Sequence, residues 1–146
     1  IEEVAAAGTD LVLPSDFVCA TGIEAGLPTS VHGEDLPEDV MGLDIGPASS
    51  VRFAEVVRLA RTVVWNGPMG LFEVEPYDAG TRAVAAALVE ATEAGATTII
   101  GGGDTAAAIQ GFGLGSKVSH VSTGGGASLT MLEGSPMPAL DVLDPA

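Results

Sequence analysis

Two short runs carry the residue types on which phosphate chemistry depends. Gly101-Gly102-Gly103-Asp104-Thr105 stands between the β-branched run Thr97-Thr98-Ile99-Ile100 and the alanine run Ala106-Ala107-Ala108. Gly124-Gly125-Gly126 stands in the same way between Val118-Ser119-His120-Val121-Ser122 and Ala127-Ser128-Leu129. Each reads as a strand opening through glycines into a helix. A helix start offers unpaired N–H groups and about half a positive charge, and glycine lets an anion approach the backbone. Two such loops on neighbouring strands can hold two parts of one polyphosphate, or two phosphates exchanging a group. Glycine also serves tight packing of helix on strand, so packing is the alternative for both loops. Asp104 has two uses as well. It can cap the following helix, or hold Mg²⁺, a hard ion that takes oxygen ligands and keeps several waters. Thr105 adds a hydroxyl at the same place.

The elements that must position these loops follow from the apolar pattern. Residues 1–8, "IEEVAAAG", read as the last turns of a helix stopped by Gly8. A short strand is expected in "DLVLPSDFVCA", broken by Pro14, and Thr21 to Val40 is a Gly-, Pro- and acid-rich surface excursion with one edge strand. "MGLDIGPASS" leads into the helix "VRFAEVVRLAR", which Ser49 or Ser50 can cap and which turns Val51, Ala54, Val56 and Val57 to the core. "TVVW" (Thr62 to Trp65) is a buried strand and Thr81 to Glu93 an alanine-rich helix ending at Gly95. Strand "TTII", helix "DTAAAIQ", strand "VSHVS", helix "GASLTMLEG" and a short helix in "ALDVLD" complete the order. Alternating strands and helices imply an α/β fold: a parallel sheet with flanking helices, Rossmann-like and three-layered, and here a partial domain. Ligands of such sheets collect at the carboxyl ends of the strands, where "NGPMG", "GGGDT" and "TGGGAS" all fall.

Two competing motifs fail on context. Gly101 to Ala106 satisfies G-x-G-x-x-A, but the next strand ends in Ser122-Thr123-Gly124, without the carboxylate that a dinucleotide site places about 20 residues on. "GFGLGSK" resembles a P-loop, yet Lys117 does not follow the last glycine and Val118 replaces the required hydroxyl residue.

Composition narrows the partners. The 146 residues are 47% hydrophobic with few aromatics, enough for one packed domain. Five basic residues face twenty acidic ones, for a net charge of −15, and no Lys or Arg precedes Arg52. Without a basic stripe, nucleic acid is not an expected partner. No apolar run approaches the roughly 20 residues of a membrane span. One lysine amid abundant acid, Ala and Gly fits a protein kept soluble at high salt, so a halophilic source is expected. An acidic face with another purpose is the alternative. Cys19 is the single cysteine and, with His32 and His120, offers no zinc spacing; it reads as a buried small hydrophobe in a cytoplasmic protein. The start at Ile1 points to processing or to a fragment of a longer chain, with nothing marking export.

Taken together, "MGLDIGP", "VVWNGPMGLFE", "TTIIGGGDTAAA" and "SHVSTGGGASLTMLEG" resemble the nucleotide-binding domain of the phosphoglycerate kinase family, in order and spacing, from about Leu13 onward. The resemblance implies reversible, Mg²⁺-dependent phosphoryl transfer between 1,3-bisphosphoglycerate and ADP, giving 3-phosphoglycerate and ATP in glycolysis. It implies that Gly42 and Leu43 line the adenine side, that Asn66 approaches the nucleotide phosphates, that Pro68 contacts the ribose and that Glu73 accepts a ribose hydroxyl. Gly102 and Gly103 would offer backbone N–H groups, Asp104 would bind the metal and Thr105 would contact a phosphate. Gly124, Gly125 and Gly126 would cradle the phosphoryl group in flight, the catalytic part of the site. Leu71 stands where the family more often has valine.

On this reading residues 1–146 are the C-terminal portion of the nucleotide domain of a monomeric enzyme. The family's substrate domain, which holds phosphoglycerate, and the first half of the nucleotide domain are not in this sequence, so the chain is expected to be inactive alone. Another nucleotide-binding enzyme and a non-catalytic fragment are the remaining alternatives.

Overall fold

The computed structural model describes residues 6–122, 124–138 and 142. In chain order the elements are β1 (Phe17–Ala20), β2 (Ser30–His32), β3 (Met41–Ile45), α1 (Pro47–Leu59), β4 (Thr62–Asn66), α2 (Ala79–Glu93), β5 (Thr97–Gly101), α3 (Gly103–Gly111), a 3₁₀ turn (Gly115–Lys117), β6 (His120–Val121) and α4 (Gly125–Leu132). The expected short helix in "ALDVLD" and most of the expected first helix lie outside the described residues. Gly8 is within them, and its φ of 69° fits a helix stop.

The parallel sheet has the order β4-β5-β6. Its register sets Trp65 beside Ile100, Asn66 beside Gly101 and Ile100 beside Val121, so the strands end together where the glycine loops begin. Trp65, Ile100 and Val118 pack with Val84, Ala85, Leu88 and Val89 of α2 and with Ile109 of α3. Burying each larger side chain contributes about 1.5–3 kcal/mol. Arg82 of α2 stacks 4.1 Å from the ring centre of Phe112, fastening α2 to the end of α3.

Three local expectations change. A separate antiparallel sheet, β2-β1-β3, occupies the first third of the chain. It contains "MGLDI" as a strand, and β1 begins only after Pro14. Helix α1 is not capped by its own serines. Its N-cap is Gly46, and Asp16 satisfies the helix start from outside. The Asp16 carboxylate accepts the Ala48 amide (3.0 Å), the Ser49 amide (2.8 Å) and the Ser49 hydroxyl (2.6 Å). Finally, Ala54 is buried as expected, but Val51 (60% exposed) and Val56 (49% exposed) face outward, as does Val64 on the free edge of β4. The valine spacing in α1 serves two faces, and only one of them meets α2.

Candidate nucleotide and phosphate site

The loop from Gly67 to Leu71 connects β4 to the rest of the site, and alternate amides tie it to three elements. The Gly67 amide donates to the Thr105 hydroxyl of α3 (2.7 Å), the Met69 amide to the Thr81 hydroxyl of α2 (3.1 Å), and the Leu71 amide to the Leu43 carbonyl of β3 (2.9 Å). Thr81 and Thr105 are both buried, so these are internal struts. A loop held this way presents a preformed surface, with little ordering cost left for a ligand.

One side of this loop closes a cavity of about 560 Å³ lined by Gly42, Leu43, Pro68, Met69, Gly70 and Leu71, with Phe17 and Asp44 behind them. Three residues expected on the nucleoside side, Gly42, Leu43 and Pro68, therefore meet in one apolar recess. The other side carries Asn66. Its amide head reaches both glycine loops: a Cβ at Gly102 would lie 2.8 Å from Asn66 Oδ1, and one at Gly125 3.1 Å away. Glu73 is exposed and lines neither part.

The glycines separate into two kinds. Gly102 has φ 91° and is the N-cap of α3, a conformation that favours glycine. Gly125 packs directly on it, and a Cβ on Gly125 would sit 2.5 Å from Gly102 Cα. These two are required for the loops to touch. At Gly103 and Gly126, by contrast, a Cβ would meet nothing within 4 Å, and at Gly124 it would only touch Ser122 Oγ at 3.7 Å. Folding does not demand glycine there, and an open backbone at two helix starts is what a bound phosphate requires.

Asp104 lies in the first turn of α3 and is exposed, while the cap position belongs to Gly102. Its carboxylate has no hydrogen-bond partner among the described residues, so the capping alternative falls away. Among the described residues no group of three or more His, Cys, Asp or Glu side chains could hold a metal. One free carboxylate cannot cage a cation alone, but it fits Mg²⁺ that is held otherwise by phosphate oxygens and water.

The sequence reading missed the struts Thr81 and Asp44. Thr81 looks like an ordinary residue of an alanine-rich helix, and only the tertiary placement of Met69 gives it a partner. Among the described residues no helix is long and apolar enough to cross a membrane.

The family model described as phosphoglycerate kinase matches residues 1–135. The phosphoglycerate kinase of Thermosipho africanus is 56% identical over 142 residues, covering 96% of this chain and 35% of that protein. The cytosolic phosphoglycerate kinase of Triticum aestivum is 50% identical over 147 residues, covering 100% of this chain and 37% of that protein. In structure, the phosphoglycerate kinase of Coxiella burnetii superimposes with a TM-score of 0.88 at 39% identity, over 96% of this chain and 36% of that one. The chain thus spans about a third of the length of the relatives it matches. A family match across most of the chain, supported by half-identical relatives and by the shared fold, places it: the chain belongs to the phosphoglycerate kinase family.

Proposed function

We propose that this chain supplies the nucleotide- and phosphate-holding part of a phosphoglycerate kinase, the C-terminal portion of its nucleotide domain. The carrying observation is the meeting of Asn66, Gly102 and Gly125 at the ends of parallel strands, beside the 560 Å³ recess and the free Asp104 carboxylate. In the recess, Gly42 and Leu43 take the adenine and Pro68 the ribose; Glu73, expected to accept a ribose hydroxyl, is exposed and outside the lining of the recess. Asn66 and the amides of Gly102 and Gly103 hold the nucleotide phosphates, whereas Thr105, expected to touch a phosphate itself, is 1% exposed and acts from behind by accepting the Gly67 amide. Asp104 holds Mg²⁺, which when bound offsets phosphate charge that this lysine-poor chain does not neutralise itself.

The reaction moves the acyl phosphate of 1,3-bisphosphoglycerate to ADP. The bond from phosphorus to the carboxyl oxygen breaks, a bond to the terminal ADP oxygen forms, and 3-phosphoglycerate leaves as a carboxylate. Phosphoryl transfer needs positioning and charge stabilisation more than covalent help. Gly124, Gly125 and Gly126 contribute through the start of α4, with Gly126 nearest to open space. The phosphoglycerate is held by protein outside these residues, and the site works in the cytoplasm of a monomeric enzyme. The acidic surface fits a salt-rich source, since among the described residues only Asp78 and Glu90 pair with arginine.

The intact gene product should form ATP from ADP and 1,3-bisphosphoglycerate, and Mg²⁺ should be required. ADP binding without ATP formation would leave another nucleotide-dependent enzyme. A second reading has its own support, because contact between the loops alone accounts for Gly102 and Gly125. If Mg-ADP does not bind at all by calorimetry, the loops are packing devices only.

A further inference from the structure

We propose that Asp44 is a positioning residue for the nucleoside end of the site, fixing the loop through Gly70 and the β3 wall against the start of α2. This rests on the nucleotide reading above and deepens it. Asp44 follows Leu43 on β3 and is 3% exposed. Its Oδ2 accepts the amide of Gly80, in the first turn of α2, at 2.7 Å, and its Oδ1 accepts the Ile45 amide at 2.8 Å. The same carboxylate lies under the loop: a Cβ at Gly70 would stand 2.6 Å from Asp44 Cγ and equally close to the Tyr77 carbonyl. One buried side chain therefore touches two walls of the recess, β3 and the loop, and ties both to the entry of α2 behind them.

A buried carboxylate without a cation costs stability, so a purely structural role is better filled by a neutral side chain. Among the described residues no arginine or lysine pairs with Asp44. The loop from Gly67 to Leu71 brings no titratable group to it, and its β1 partner is Val18. From the start of α2 the facing charge is Asp78, which is itself paired with Arg82 at 2.5 Å. Burial pushes Asp44 up to about 6, the two amides pull it back, and Asp78 raises it further. In its ionised form Asp44 accepts both amides. Protonation turns one acceptor into a donor and loosens the wall.

The test uses the intact gene product. Asp44→Asn keeps the volume but sets an NH₂ against one of the two amides. KM for ADP should rise about tenfold, more than kcat falls, with KM for 3-phosphoglycerate in the reverse direction within twofold of the parent. Unchanged KM for ADP, or all three constants moving together with a lower Tm, overturns the inference. A second measurement stands even if that variant does not fold. Adenosine, which has no group titrating between pH 5 and 7.5, is titrated into the unmodified protein by calorimetry. Its affinity should fall about tenfold from pH 7.5 to pH 5.0, as a group with pKa near 6 becomes about nine-tenths protonated. Flat affinity across that range overturns the inference and leaves the nucleotide reading intact. Absence of both Mg-ADP and adenosine binding overturns the two together.

Discussion

Gly125 lies against Gly102 so closely that a Cβ on Gly125 would stand 2.5 Å from the Gly102 Cα. The starts of α3 and α4 are therefore locked backbone to backbone, with the Asn66 amide wedged beside them. This contact divides the glycines of the site by cause. Gly102 and Gly125 are fixed by protein–protein contact, whereas Gly103 and Gly126 face open space.

The division predicts opposite outcomes for two alanine substitutions. Gly125→Ala should destabilise the protein by about 1–3 kcal/mol, because the new methyl has no room and its neighbour is backbone. Gly126→Ala should leave Tm unchanged or raise it, since alanine is the better helix former by up to about 1 kcal/mol. It should nonetheless lower phosphoryl transfer at least tenfold, with less effect on ADP affinity, if the transferring group passes that backbone. Thermal melts and steady-state kinetics on both variants decide it. Full activity in Gly126→Ala would remove this loop from the transfer step.

Asp104→Asn separates chemistry from folding. The side chain is exposed and has no partner among the described residues, so stability should change by less than about 0.5 kcal/mol. Turnover should fall on the order of a hundredfold, and the Mg²⁺ concentration for half-maximal rate should rise. Parental Mg²⁺ dependence in this variant would deny Asp104 any metal role.

Asp16 and Asp44 predict pH effects of opposite sign. Burial raises Asp16, but the hydrogen bonds from the Ser49 hydroxyl and from the Ser49 and Ala48 amides outweigh it and lower its pKa below 3.8. Its contribution is present above that value and is lost as pH falls through the lowered folded pKa. Asp16→Ala should therefore cost about 1–2 kcal/mol at pH 7, and progressively less as the pH falls below about 3.8. Asp44 is raised from 3.8 to about 6 by burial. Its contribution is complete below 3.8 and is lost as pH rises through 6, a change of about 3 kcal/mol at 1.4 kcal/mol per pH unit. Urea melts from pH 4 to 7.5 should show that decline in the parent protein. A slope that persists unchanged in Asp44→Asn would assign it elsewhere.

The net charge of −15 predicts a response to salt. Arg58–Glu90 and Arg82–Asp78 are the ion pairs among the described residues, so most carboxylates repel without compensation. Molar salt shortens the Debye length to about 3 Å. Tm should rise markedly between about 0.1 M and 2 M KCl, starting well below the concentrations where salt exclusion dominates. A neutral osmolyte of equal osmolality should reproduce only part of the rise. If it reproduces all of it, charge screening is not the cause.

By itself the sequence determined the parallel strand–helix order of the second half, the three loops at the strand ends, and the family to which their motifs point. It could do so because these features are local. A β-branched run, a glycine junction and an alanine-rich run specify strand, turn and helix within a few residues. Sequence also marked Asp104, although as cap or ligand, and only the placement of the cap at Gly102 left its carboxylate free. Tertiary structure decided the rest, because the partners are far apart in the chain. Asp16 caps a helix more than thirty residues away, Thr105 holds the Gly67 amide 38 positions distant, and Asp44 reaches Gly80 across 36. No periodicity or propensity encodes such pairings. They exist because packing the strands, the loop and the helices together leaves loop and helix-start amides short of backbone partners, and a carboxylate or hydroxyl brought alongside takes them.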